Sequence, residues 1–142
     1  MERFFQEGPE ILPLDEDRPD GFIASPKWKA AIALAMKGHE KATQYLISKS
    51  RQQIDPMNPV VLIEVFSQLT MVRTRPIVDF LIEFLYSDRK YVGLGHMEES
   101  DFNRAYMTLY GLIEGIRGTH GVKNATRAWM DQNRTSYKII KQ

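Results

Sequence analysis

The chain has 142 residues and a net charge of +1, with 43% hydrophobic and 26% charged residues. That is ordinary globular usage and excludes a collagen, a wholly disordered chain or a low-complexity linker. No cysteine is present, which removes disulfides, iron–sulfur clusters, cysteine-based zinc sites and thiol catalysis.

Charge is unevenly divided along the chain. Residues 1–25 hold seven acids against Arg3 and Arg18, a net of −5, and the remainder carries +6. Opposed blocks of this kind read as an interaction tail and a body that complements it. Pro9, Pro13 and Pro19, with Gly8 and Gly21, stop helices and sheets from propagating through this arm. Yet Phe4, Phe5, Ile11, Leu12, Leu14, Phe22 and Ile23 are spaced through it, more apolar side chains than a solvated linker carries. The expectation over 1–25 is an extended, acidic, proline-rich docking arm. Its start lacks the basic-then-apolar plan of a secretion signal, so a cytoplasm-like compartment is expected, which includes a host cytoplasm or a virion.

Ser25-Pro26 is a helix start, a capping hydroxyl followed by proline at the first helical position. A helix is predicted over 26–37, with Trp28, Ala31, Ile32 and Ala35 on its inner face and Gly38 ending or bending it. A second follows over 39–53, with Ala42, Tyr45, Leu46 and Lys49 in register and Lys37, Lys41, Lys49 and Arg51 making a basic side. Asn58-Pro59 opens a third, apolar helix over 60–71, and Pro76 resets the chain for another over 76–86. These two are expected to form a central apolar hairpin, although their β-branched residues keep a strand reading open. Residues 87–98 are expected to be a loop, punctuated by Gly93 and Gly95. Ser100 caps a long helix whose stripe runs Phe102, Ala105, Tyr106, Leu109, Leu112, Ile113 and Ile116, with Gly118 as its stop. A last helix spans 121–133 with Val122, Ala125 and Trp129 inward, and a basic tail over 134–142 carries Tyr137, Ile139 and Ile140.

Few groupings point to chemistry. The histidines His39, His96 and His120 make no HExxH pair, and only His96 with Glu98, Glu99 and Asp101 is close in sequence, so no metal is assigned. Gly93-Leu94-Gly95 is a turn rather than a nucleotide fingerprint. Glu64, Asp79 and Glu83 are expected at a solvated edge or paired with Arg73, Arg75 or Arg104. No nucleophile–base spacing is present, so the chain is expected not to be an enzyme and to need no cofactor or small-molecule substrate.

The expected fold is all-α: five to six short helices around the apolar hairpin, one domain over 26–133, with extended tails at both ends. The expected function is an assembly subunit or adaptor, homo-oligomeric or built into a larger complex and by analogy of phage or mobile-element type. Phe4, Phe5, Ile11, Leu12, Leu14 and Phe22 of the arm, and Tyr137, Ile139 and Ile140 of the tail, are its candidate docking residues. The alternative is a helical module that binds nucleic-acid backbone through Lys37, Lys41, Lys49, Arg51, Lys123 and Arg127. No segment is apolar enough for a membrane role.

Overall fold

A computed structural model of the chain describes residues 21–54, 59–92 and 97–141. The fold is mostly helical, as expected. Among the described residues there are six α-helices, short 3-10 turns and one two-stranded antiparallel ladder. The chain divides into two units, Met1–Ile77 and Val78–Gln142, so the domain expected over 26–133 spans both. The arm residues Phe4, Phe5, Ile11, Leu12 and Leu14, and the turn at Gly93, Gly95 and His96, lie outside the described residues.

The first unit opens with a 3-10 turn, Gly21–Ala24, that runs into helix α1, Pro26–Ala35. Ser25 joins them. Its buried hydroxyl donates to the Phe22 carbonyl at 2.8 Å and accepts from the Trp28 N–H at 3.1 Å. The turn thereby sets the Phe22 ring edge-on to Trp28 at 5.2 Å, and both are buried. A contact of this geometry adds about 0.5–1.5 kcal/mol beyond area burial. The predicted face is the observed one, since Trp28, Ala31, Ile32 and Ala35 are all buried.

Gly38 ends α1 rather than bending it. The Gly38 N–H bonds the Ala35 carbonyl and the His39 N–H bonds that of Leu34, with Gly38 at φ +86°. This is the left-handed helix ending that glycine adopts without strain. His39 then starts α2, Glu40–Ile54, by accepting the Ala42 N–H on its Nδ1 at 3.1 Å. Helix α3 spans Pro59–Leu69 and buries Val61, Leu62, Val65, Phe66 and Leu69. Helix α4 spans Arg75–Ile82, and the boundary between the units falls within it. Both apolar runs are therefore helical, and the strand alternative is discarded.

In the second unit α4 tightens into a 3-10 turn, Glu83–Tyr86. The expected loop then holds strands β1, Lys90–Val92, and β2, Glu98–Ser100, paired antiparallel with Tyr91 opposite Glu99. Ser100 caps α5 as predicted, accepting the Asn103 N–H, but α5 covers only Asp101–Leu109. The expected continuation to Ile116 fails because the chain beyond takes other partners. The Ile140 N–H bonds the Leu112 carbonyl and the Glu114 N–H bonds that of Lys138, around an Ile113–Ile139 bridge. Leu112, Ile113 and Ile116 are still buried, so the stripe named the right core residues with the wrong period.

Gly115 turns the chain at φ +90°, and a short 3-10 turn, Ile116–Thr119, leads to α6, Lys123–Asn133. The inward face of α6 is one residue off the prediction. Thr126 and Met130 are buried, whereas Val122 and Ala125 are exposed and Trp129 is half-buried. Thr126 is tolerated inside because its hydroxyl donates to that of Thr119 at 2.8 Å, and Thr119 in turn donates to the Ile116 carbonyl.

Candidate interaction surfaces

The first unit presents a basic face. Its described residues hold eight Lys and Arg against Glu40 and Glu64, a net of +6. Lys37, Lys41 and Arg51 are exposed, as predicted, and Lys29 joins them. Lys41, Gln44, Ser48 and Arg51 follow one another at three- and four-residue spacing, which makes a single exposed stripe on α2. Lys29, Lys37 and Lys41 make no ion pair among the described residues. Lys49 departs from this face. It is only 9% exposed, and its Nζ sits 5.9 Å from the Phe22 ring centre. Its stem packs with the core, so it drops out of the candidate phosphate-binding set.

The basic residues of the second unit are largely committed to their own fold. Arg127 donates from Nε to the Leu85 carbonyl at 2.6 Å and from Nη2 to the Ser87 carbonyl at 3.1 Å and to Asp88 at 3.0 Å. Lys123 reaches the same Asp88 at 3.5 Å. The hydrogen bond and charge of Arg127, with Lys123 behind it, hold the Asp88 carboxyl below its usual range. Arg134 Nη1 lies 2.8 Å from Asp79, so the partner of this carboxylate is neither Arg73, Arg75 nor Arg104. Nine bases and eight acids leave the described part of this unit at +1. Arg127 is therefore committed to its own fold, and Lys123 is paired at the surface with Asp88.

The expected docking residues near both ends are also engaged at home. Phe22 is buried against Trp28. Tyr137 is 3% exposed and donates its hydroxyl to Asp79 at 2.6 Å. Ile139 and Ile140 are half-buried, held by the bridge to Ile113. The tail does not reach outward but closes onto its own unit, because Tyr137 gains a buried ring and a charged acceptor there.

A second surface escaped the sequence reading. Strand β2 and helix α5 border an open cleft of about 340 Å³. Met97 and Met107 stand on its rim at 71% and 64% exposure, and Glu98, Glu99, Ser100 and Arg104 line it. Tyr106 packs its ring against Gly121, where a side-chain carbon would lie 3.1 Å from it. Arg104 Nη2 donates to Glu99 Oε1 at 3.2 Å. Arg104 Nε, Glu99 Oε2 and the Tyr91 hydroxyl are buried, and the Tyr91 hydroxyl lies beside the Arg104 guanidinium. Burial, with the nearby Glu99 charge, pushes the Tyr91 phenol above its usual range. The sequence carries little signal for this feature: Lys90-Tyr91-Val92 and Glu98-Glu99-Ser100 show no apolar–polar alternation.

Of the three histidines, His39 is a helix cap and His120 is exposed at φ +54°, while His96 lies outside the described residues. Asp101, counted with His96 in sequence, is held by Arg89 and Ser87. Among the described residues no three His, Asp or Glu side chains come together. Comparison with known proteins adds no relative: no family model, no curated protein and no solved structure matches the chain.

Proposed function

We propose that the chain is a non-enzymatic assembly subunit in which the acidic arm of one copy lies on the basic first unit of a neighbour. The supporting observation is the division of charge. The described part of the first unit carries +6 and that of the second +1, while residues 1–20 carry −5. Complementary charge of this size steers encounter and fixes register, and the arm's Phe4, Phe5, Ile11, Leu12 and Leu14 supply apolar burial. The C-terminal tail has no part in this gripping, since it serves its own unit.

The test is native mass by light scattering. The full-length chain should exceed its 16.5 kDa monomer mass, and removal of residues 1–20 should return it to a monomer. High salt should do the same. A full-length protein that is monomeric at high concentration overturns the reading.

A second reading follows from Lys29, Lys37 and Lys41, three exposed cations with no ionic partner among the described residues. In that reading they neutralise nucleic-acid phosphates. It predicts binding of a labelled oligonucleotide that collapses between low and moderate salt and is lost when the three lysines become glutamate. No binding at low salt overturns it.

A further inference from the structure

We infer that the free edge of β2 accepts an extended, basic segment of a partner polypeptide as a third strand. The direction of the backbone groups is fixed by the ladder. The Asp101 N–H bonds the Arg89 carbonyl at 3.1 Å, which makes that pair, and then Tyr91 with Glu99, the hydrogen-bonded pairs. The N–H and C=O of Glu98, and the N–H of Ser100, therefore point away from β1. Among the described residues no third strand meets them, and no backbone hydrogen bond outside the ladder satisfies the N–H of either residue. Glu98 and Ser100 also line the open cleft of about 340 Å³.

The surroundings select the occupant. An exposed strand edge is a template for main-chain pairing, and alternate side chains of the added strand then find pockets. Met97 and Met107 offer two flexible, polarisable apolar contacts on the cleft rim. Arg104 and Glu99 are paired with each other at 3.2 Å, so neither offers a free charge to the incoming strand. Charge sets the sign. The Glu98 side chain is 74% exposed and meets Lys90 only at 3.7 Å, which leaves it open to a cation on the incoming strand. A second copy pairing through its own β2 would set Glu98 and Glu99 against the same residues, and the acidic arm would meet them as well. Both are disfavoured by like charge. This inference uses the second unit alone and stands apart from the assembly reading.

The experiment is a titration of the full-length, isotope-labelled protein followed by amide and methionine-methyl NMR. Three blocked hexapeptides serve as probes: alternating lysine and valine, alternating glutamate and valine, and the lysine peptide N-methylated at every residue. The lysine peptide should shift the Glu98 and Ser100 amides and the Met97 and Met107 methyls saturably. The N-methylated peptide keeps charge and apolar bulk but has no ladder donors, and it should bind at least tenfold more weakly. The glutamate peptide should leave these resonances in place, and the surface variant Glu98→Lys should reverse the preference between the two charged peptides. Equal shifts from the lysine peptide and its N-methylated form, or no shift of the β2 amides with any probe, would overturn the inference.

Discussion

The guanidinium of Arg89 meets the carboxylate of Asp101 through two nitrogens, Nε at 2.9 Å from Oδ2 and Nη2 at 3.2 Å from Oδ1. The two residues are unequally placed. The Asp101 side chain is 3% exposed and that of Arg89 is 31% exposed. Removing Arg89 strands a buried carboxylate, whereas removing Asp101 leaves a cation that reaches water. Arg89→Ala should therefore cost more than Asp101→Ala, because only the first leaves a buried carboxylate, with the Ser87 hydroxyl as its remaining side-chain partner. Chemical denaturation of the two variants side by side checks the order. Equal losses would show that the pair contributes through its geometry and not through the buried charge.

Gly115 is the pivot between the end of the α5 region and the turn that leads to α6. It stands at φ +90°, and an added side-chain carbon would lie 3.0 Å from Cζ2 of Trp129. Gly115→Ala meets both a backbone penalty and the rigid edge of an indole, and should cost at least about 1–2 kcal/mol. Trp129 fluorescence should shift in the folded variant. An unshifted emission with unchanged stability would mean that the chain finds another path through this turn.

How much was legible in the sequence follows from which forces were local. Ser25, Ser100 and Pro59 act within one helical turn, and the helix starts they mark are legible from them, whereas Gly38 is legible only as an end or a bend. The 102–116 stripe was misread because the bonds that end α5 come from Lys138 and Ile140, more than twenty residues away. The basic surface was half legible. Exposure of Lys37 and Lys41 follows from helical spacing, but commitment of Arg127 to the carbonyls of Leu85 and Ser87 depends on tertiary placement, which charge counting does not register. The cleft was missed because each strand beside it has only three residues, too few for a period to declare itself.

Tyr86 supplies a pH dependence with a defined sign. Burial, and then its 2.6 Å hydrogen bond to Asp131, push its phenol from 10.0 up to about 12. The unfolded phenol ionises first, so the contribution of Tyr86 to stability is whole below pH 10.0 and is lost as pH rises toward about 12. Tyr86→Phe should flatten this part of the stability profile, and an absorbance titration of the wild type should show a late-ionising phenol that the variant lacks. A profile of the same slope in both proteins would remove Tyr86 as its source.

The position at which the arm is cut decides what its removal measures. Phe22 and Ile23 are 3% and 6% exposed, and Ser25 both holds the Phe22 carbonyl and caps α1. A truncation that takes residues 1–25 therefore removes core as well as arm. Loss of a buried phenylalanine costs about 3–5 kcal/mol and loss of a cap about 1 kcal/mol, a large share of the roughly 5–15 kcal/mol that holds a typical domain together. Removal of residues 1–20 leaves all three in place and should keep the helical circular dichroism and the cooperative melt of the full chain. The longer truncation should melt at a lower temperature or not fold. If both truncations melt alike, the packing of Phe22 on Trp28 does not contribute to the stability of the first unit, and the arm and the core separate later in the chain than residue 20.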